Sequence, residues 1–178
     1  MINNLLSKEF GIEIIRTFPR EAVIFAKEYF NGRKINACEV GVYYGEHARS
    51  MNNELNIDNL YLIDPYTFYG DDKTQDDLDN AEWNAHRINK RGNEQWIKNI
   101  PYGAELRMNL DFLYIDGNHE YEAVKRDLEL YSSFVKKGGI IAGHDIQGEG
   151  VSKAVLEFAN KNKLTLHFGD RRDWWIIK

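Results

Sequence analysis

Residues 111–145 read DFLYIDGNHEYEAVKRDLELYSSFVKKGGIIAGHD, and the reading of this stretch decides the fold. Asp111-Phe-Leu-Tyr-Ile-Asp116 is a short apolar run closed by turn residues, which predicts a buried strand. Tyr121, Val124, Leu128, Tyr131 and Val135 then recur at helical spacing and mark one face of a helix. Gly138-Gly139 is expected to end that helix, and Ile140-Ile-Ala-Gly-His144 reads as the next strand. A strand, a covering helix and a second strand imply parallel pairing.

The same alternation continues upstream. Arg20 to Phe30 places Ala22, Val23, Phe25, Ala26, Tyr29 and Phe30 at helical spacing, with Pro19 before it and Asn31-Gly32 as its stop. Ile35 to Gly41 is a strand, Gly45 to Leu55 a helix, and Leu60 to Asp64 a strand closed by Pro65. Tyr66 to Asp79 is loop-like, Asp76 to Asn89 is helical, and Gln95 to Ile100 is the third strand. Downstream, Ser152 is expected to cap a helix carrying Val155, Phe158 and Ala159. Leu164–Phe168 and Trp174–Ile177 are strands joined too tightly for a crossover, so they should pair antiparallel. The expectation is a doubly wound, mostly parallel α/β sheet with one reversed strand near its end.

Composition narrows the function. The 178 residues suit one domain, with a helical part at 1–34 and an α/β core at 35–178. A net charge of -5 speaks against duplex nucleic acid as the main partner. Cys38 is the lone cysteine, which excludes a disulfide framework and a multi-cysteine zinc site and implies a reducing, cytoplasmic setting. No run approaches the ~20 apolar residues of a membrane helix, and the N-terminus does not read as a signal peptide.

In such sheets ligands bind beyond the carboxyl ends of the parallel strands. The first strand ends Glu39-Val-Gly41-Val-Tyr-Tyr-Gly45, where Gly41 permits a sharp turn and Gly45 opens a helix. The spacing departs from the dinucleotide fingerprint, and Val42-Tyr43-Tyr44 fills the place where a pyrophosphate needs bare backbone. Asp64, ending the second strand, can accept from both hydroxyls of a ribose or can stabilise its own turn before Pro65. Asp116 and His119 follow the fourth strand, and His144 and Asp145 follow the fifth. Neighbouring strand ends would gather these four into a divalent-cation site or a general-base site, against the plainer reading of caps and turns. Tyr66, Phe68 and Tyr69 read as exposed loop aromatics able to face a substrate. The acidic run after them is equally a helix start. Arg171-Arg172 reads as a solvated tip, and Trp174-Trp175 as one ring to each face of the sheet.

These stretches resemble the class I S-adenosylmethionine-dependent methyltransferases, in the branch similar to macrocin O-methyltransferases. The resemblance rests on ACEVGVYYGEHA, LYLIDPY, DFLYIDGNHEYEAVKRDL, VKKGGIIAGHDI, GVSKAVLEFA and DWWIIK, from about Ile35 onward. It implies a Rossmann-like sheet of seven strands with the last inserted antiparallel. It implies that Glu39, Gly41 and Gly45 border the methionine part of S-adenosylmethionine, that Asp64 holds its ribose, that Pro101 and Tyr102 lie near its adenine, and that Val42, Tyr43 and Pro65 also border the cofactor. Asp116 also falls on the cofactor border. Asp116 and Asp145 match carboxylates that bind Mg2+ in metal-dependent relatives. His144 stands where some relatives have a second Asp, which suits another divalent cation better than magnesium. The implied partner is a hydroxyl of a small molecule or a sugar. A hydroxyl acceptor needs a base, and His119 or His144 could take its proton, His119 being the first choice, with Asp116 completing the catalytic set. A non-catalytic binding module of the same fold and a nicotinamide-dependent enzyme are the rival readings. Ile12, Ile14, Ile15 and Phe18 are equally suited to packing on the sheet, covering the site or forming a homodimer contact.

Overall fold

The computed structural model describes residues 18–67, 73–98, 108–170 and 172–178. Pro19 precedes helix α1 (Glu21–Phe30), whose Ala22, Val23, Ala26 and Phe30 are buried, and Asn31 ends it in the left-handed conformation. Strand β1 (Ile35–Val40) leads into α2 (Glu46–Glu54), and β2 (Ile57–Ile63) follows. Helix α3 (Gln75–Ile88) starts on a capping box in which Thr74 and Asp77 satisfy each other's backbone N–H. The acidic residues here are therefore a helix start. Strand β3 (Glu94–Ile97) is shorter than expected, and residues 99–100 of the expected strand lie outside the described residues.

All six residues of β4 (Leu110–Ile115) are buried, as a strand covered on both faces requires. Helix α4 (Tyr121–Tyr131) follows, then one 3-10 turn (Ser132–Phe134), β5 (Val135–Gly143), α5 (Glu149–Asn162), β6 (Leu166–Phe168) and β7 (Trp174–Ile177). Two expectations are corrected here. Gly138-Gly139 does not end the helix, which stops at Tyr131; the two glycines form an irregularity inside β5. Leu110 pairs with Val135 but Phe112 with Ile140, and Gly138 N–H and Gly139 C=O bond to the backbone of Lys178. Gly-Gly gives the same local signal for a bulge as for a helix stop. Nor does Ser152 cap α5. Gly148 holds that place, and the Ser152 hydroxyl donates to the Glu149 carbonyl inside the first turn.

The strand order is β3-β2-β1-β4-β5-β7-β6, with β7 antiparallel to both neighbours and every other pairing parallel. The sheet is thus seven-stranded, with the last strand in sequence inserted antiparallel, as expected. Side-chain alternation splits the core. Ala37, Leu60, Phe112, Tyr114 and Ile140 face α1, α2 and α3; Cys38, Leu113, Ile115, Ile141 and Trp174 face α4 and α5. Trp174 is fully buried, while Trp175 stacks 5.2 Å from Phe25 on the opposite face. Cys38 is a small buried core residue whose thiol burial holds well above its usual range. The chain order reverses between β1 and β4, which opens the ligand crevice at their carboxyl ends. Among the described residues, no helix is long and apolar enough to cross a membrane.

Candidate active site

Gly41 sits at that reversal with φ +87, and a Cβ on it would lie 2.2 Å from the Asp116 carbonyl. Only glycine lets the β1 turn come this close to the end of β4. The turn is braced by Asp64. Its Oδ2 accepts from Val42 N and Tyr43 N, each at 2.9 Å, and its Oδ1 accepts from Tyr66 N at 2.8 Å. A carboxylate offers about four acceptor directions, so about one remains for a ribose hydroxyl, not two. Tyr66 is a second brace: it is buried and donates from its hydroxyl to the Tyr43 carbonyl. It is not the exposed binding aromatic the sequence suggested; Phe68 and Tyr69 lie outside the described residues. Pro65 is exposed at the rim. Gly45, in the left-handed conformation, starts α2 against Ala85 of α3 and Asn89, which caps that helix.

Glu39 is buried at the end of β1, with Oε1 2.8 Å from Nδ1 of His47. Burial raises the Glu39 pKa well above the carboxylate range and lowers that of His47, so both tend to neutrality. Neither Glu39 Oε2 nor His47 Nε2 has a partner. An unpaired buried carboxyl oxygen beside a glycine turn suits an incoming donor such as an ammonium group. A cavity of about 740 Å³ borders the same turn on the α4 side of the sheet, lined by Gly41, Asp64, Pro65 and Gly117 and by Arg126 and Asp127 of α4; Glu39 and His119 do not line it. Its size suits a nucleoside-sized ligand. Burial lifts the Asp127 pKa to about 6. These features fit the cofactor the resemblance implies. Tyr102 lies outside the described residues.

The ends of β4 and β5 bring Asp116, His119, His144 and Asp145 together as expected. His119 Nε2 lies 3.6 Å from Asp116 Oδ1 and 3.3 Å from Asp145 Oδ2, and His144 Nδ1 lies 3.2 Å from Asp145 Oδ2. His144, first among its partners, then His119 and Arg172, hold Asp145 down at about 2. Asp116 and then Asp145 raise the pKa of the half-exposed His119 above the usual imidazole value. Gly150 of α5 presses on this loop, because a Cβ there would meet the His119 carbonyl at 2.4 Å.

Three partners were not legible in the sequence. Arg20 Nη1 donates to Asp116 Oδ2 at 2.7 Å and to the Tyr114 hydroxyl at 2.8 Å. Tyr114 in turn donates to Asp173 Oδ1 at 2.8 Å, and Asp173 Oδ2 accepts from Ala22 N at 2.9 Å. This buried chain of bonds ties the start of α1 to the ends of β4 and β7. A tyrosine inside an otherwise apolar strand needs a hydroxyl partner, and that was the one available hint. Arg172 is no free tip either, since its Nη1 lies 3.5 Å from Asp145 Oδ1. Arg171 lies outside the described residues.

Donor atoms of Asp116, His144 and Asp145 lie within 4.8 Å of one another, close enough to share a cation. The arrangement nevertheless fits a hard octahedral ion poorly. Asp116 Oδ2 faces Arg20, Asp116 Oδ1 faces His119, Asp145 Oδ1 faces Arg172, and Asp145 Oδ2 faces both imidazoles. All four carboxylate oxygens are already turned to nitrogen donors, whereas Mg2+ needs an oxygen-rich octahedral shell.

A mostly parallel sheet of this order, with a glycine turn after β1 and acidic residues ending β1, β2 and β4, defines the class I methyltransferase fold. The chain belongs to the methyltransferase-domain family, whose sequence profile matches residues 38–146. It is 33% identical over 140 residues to R132, an uncharacterised protein of Acanthamoeba polyphaga mimivirus, a match covering 74% of this chain and 61% of that protein. The chain therefore spans under two-thirds of that relative's length. Among solved structures it is similar to the O-methyltransferase NovP, with a TM-score of 0.66 and 17% identity over 89% of this chain and 78% of that one. It is also similar to the MycE methyltransferase of the mycinamycin pathway, solved with Mg, SAH and mycinamycin VI. There the TM-score is 0.62 and the identity 15%, over 98% of this chain and 53% of that one.

Proposed function

We propose that this chain is an S-adenosylmethionine-dependent methyltransferase that methylates a hydroxyl of a small molecule or sugar. The observation that carries this is His119, held by two carboxylates at the mouth of the crevice that Gly41 and Asp64 shape. Family membership supports the cofactor, and the names of the similar O-methyltransferase structures support the hydroxyl.

Bound S-adenosylmethionine supplies an activated methyl group on a sulfonium, so the protein has to position the acceptor and take its proton. Glu39 offers its unpaired oxygen to the methionine ammonium, and Asp64 its remaining acceptor site to the ribose. His119 Nε2 would take the acceptor hydroxyl's proton as that oxygen receives the methyl group the cofactor would supply, the cofactor leaving as its neutral thioether. Asp145 stays ionised at every working pH and stabilises the imidazolium that results.

His119 acts as a base only when neutral. Its pKa is raised by Asp116 and Asp145, so deprotonation is delayed and turnover should climb with pH through a midpoint above the usual imidazole value. Asp145→Asn removes one of the raising charges and should move that midpoint down. His119→Ala should lower turnover by roughly 10²–10⁴-fold with the cofactor still bound. The assay is transfer of labelled methyl from S-adenosylmethionine to a panel of sugar and small-molecule hydroxyls. Undiminished turnover by His119→Ala at neutral pH contradicts the assignment. Cofactor binding with no transfer to any acceptor favours the non-catalytic module.

A further inference from the structure

We infer that Arg20 supplies, as a fixed part of this chain, the positive charge that a divalent ion supplies at the strand ends of metal-dependent methyltransferases, and that the site works without a metal. The inference rests on the methyltransferase reading and goes beyond it by assigning Arg20 as a positioning residue.

The guanidinium meets Asp116 Oδ2 at 2.7 Å, on the carboxylate that would be the ion's first ligand. Its side chain is 19% exposed, so solvent screens the pair little. Arg20 is also held from behind. It bonds the Tyr114 hydroxyl and sits 5.5 Å from the Tyr114 ring centroid, and Tyr114 is anchored to buried Asp173. Swinging the guanidinium away would leave the Tyr114 hydroxyl oxygen without its donor and Asp116 Oδ2 without its cation. A divalent ion on Asp116 Oδ2 would have to sit against this charge, and like charges a few ångströms apart repel strongly in a partly buried site. Each of the two carboxylates also already has a guanidinium neighbour, Asp116 facing Arg20 and Asp145 facing Arg172. With Oδ2 neutralised by Arg20, Asp116 keeps Oδ1 for His119. The arginine therefore does for the carboxylate what a metal would do, and leaves the imidazole free to act.

The test is an Mn2+ titration of the full chain followed by electron paramagnetic resonance, since Mn2+ takes the same carboxylate-rich octahedral sites as Mg2+ and is paramagnetic. The wild-type protein should take up no Mn2+ at this site up to millimolar concentration. Arg20→Gln should gain affinity by about tenfold or more, and Arg20→Lys, which keeps the charge, should not. Saturable uptake of one Mn2+ by the wild type, lost in Asp116→Asn, overturns the inference. So does a folded Arg20→Gln that gains nothing. The wild-type arm decides the matter even if the glutamine variant fails to fold. It needs no methyl acceptor, so failure of the metal inference and failure of the methyltransferase reading are separately visible.

Discussion

Gly41→Ala is expected to abolish S-adenosylmethionine binding and to destabilise the fold together. The residue has φ +87, where an alanine costs about 1–2 kcal/mol. The added Cβ would also lie 2.2 Å from the Asp116 carbonyl and 2.6 Å from the Gly117 Cα, both backbone atoms of the adjoining strand end. Forcing them apart adds roughly 1–3 kcal/mol, as overpacking does. The sum of about 2–5 kcal/mol corresponds to a melting-point loss of roughly 5–20 °C in a chain of this length. The shift also moves Asp116 and the Val42–Tyr43 turn, the two walls of the crevice. Gly92→Ala is the control. Gly92 has the same φ of +87 but nothing within 4 Å, so it should show the backbone cost alone and leave cofactor affinity intact. Equal losses in the two variants would show that crowding at β4 is not what Gly41 is for.

The second large effect is expected for Asp173→Ala. Asp173 is fully buried and accepts from both Ala22 N and the Tyr114 hydroxyl. Alanine would orphan both donors at about 1–3 kcal/mol each, hence about 2–6 kcal/mol in all. Asp173→Asn is the informative partner. Its amide oxygen can accept from Ala22 N, but its NH2 then faces the Tyr114 hydroxyl, whose O–H loses its acceptor. The asparagine variant should therefore lose about half of what alanine loses in a chemical denaturation series. If both variants lose the same amount, the charge of Asp173, and not its hydrogen bonds, is what holds α1 to the sheet.

The contrast between these two sites shows how far the sequence could be read. Gly41 was legible because a glycine after a buried strand and before a helix has few other uses. Asp116, His119, His144 and Asp145 were legible as a group because parallel strands in neighbouring positions must end side by side. Arg20 was not, since it meets Tyr114 and Asp116 from 94 and 96 residues away and no local pattern records such a meeting. Asp173 carries no local signal of its role, and only the packing of α1 against the sheet shows what it accepts. Tyr66 failed for a different reason. Composition reveals that a loop is rich in aromatics but not which way a ring points, and this one turns inward to bond the Tyr43 carbonyl. The two glycines in β5 failed because a bulge and a helix stop ask for the same residue.

The central claim is that the crevice shaped by Glu39, Gly41 and Asp64 holds S-adenosylmethionine. Calorimetric titration of the wild-type chain with S-adenosylmethionine, its demethylated product and NAD tests it most directly, with Asp64→Ala alongside. The account predicts that both sulfur nucleosides bind one per chain, that NAD does not, and that Asp64→Ala weakens both. No binding of either nucleoside, or binding of NAD alone, would contradict it.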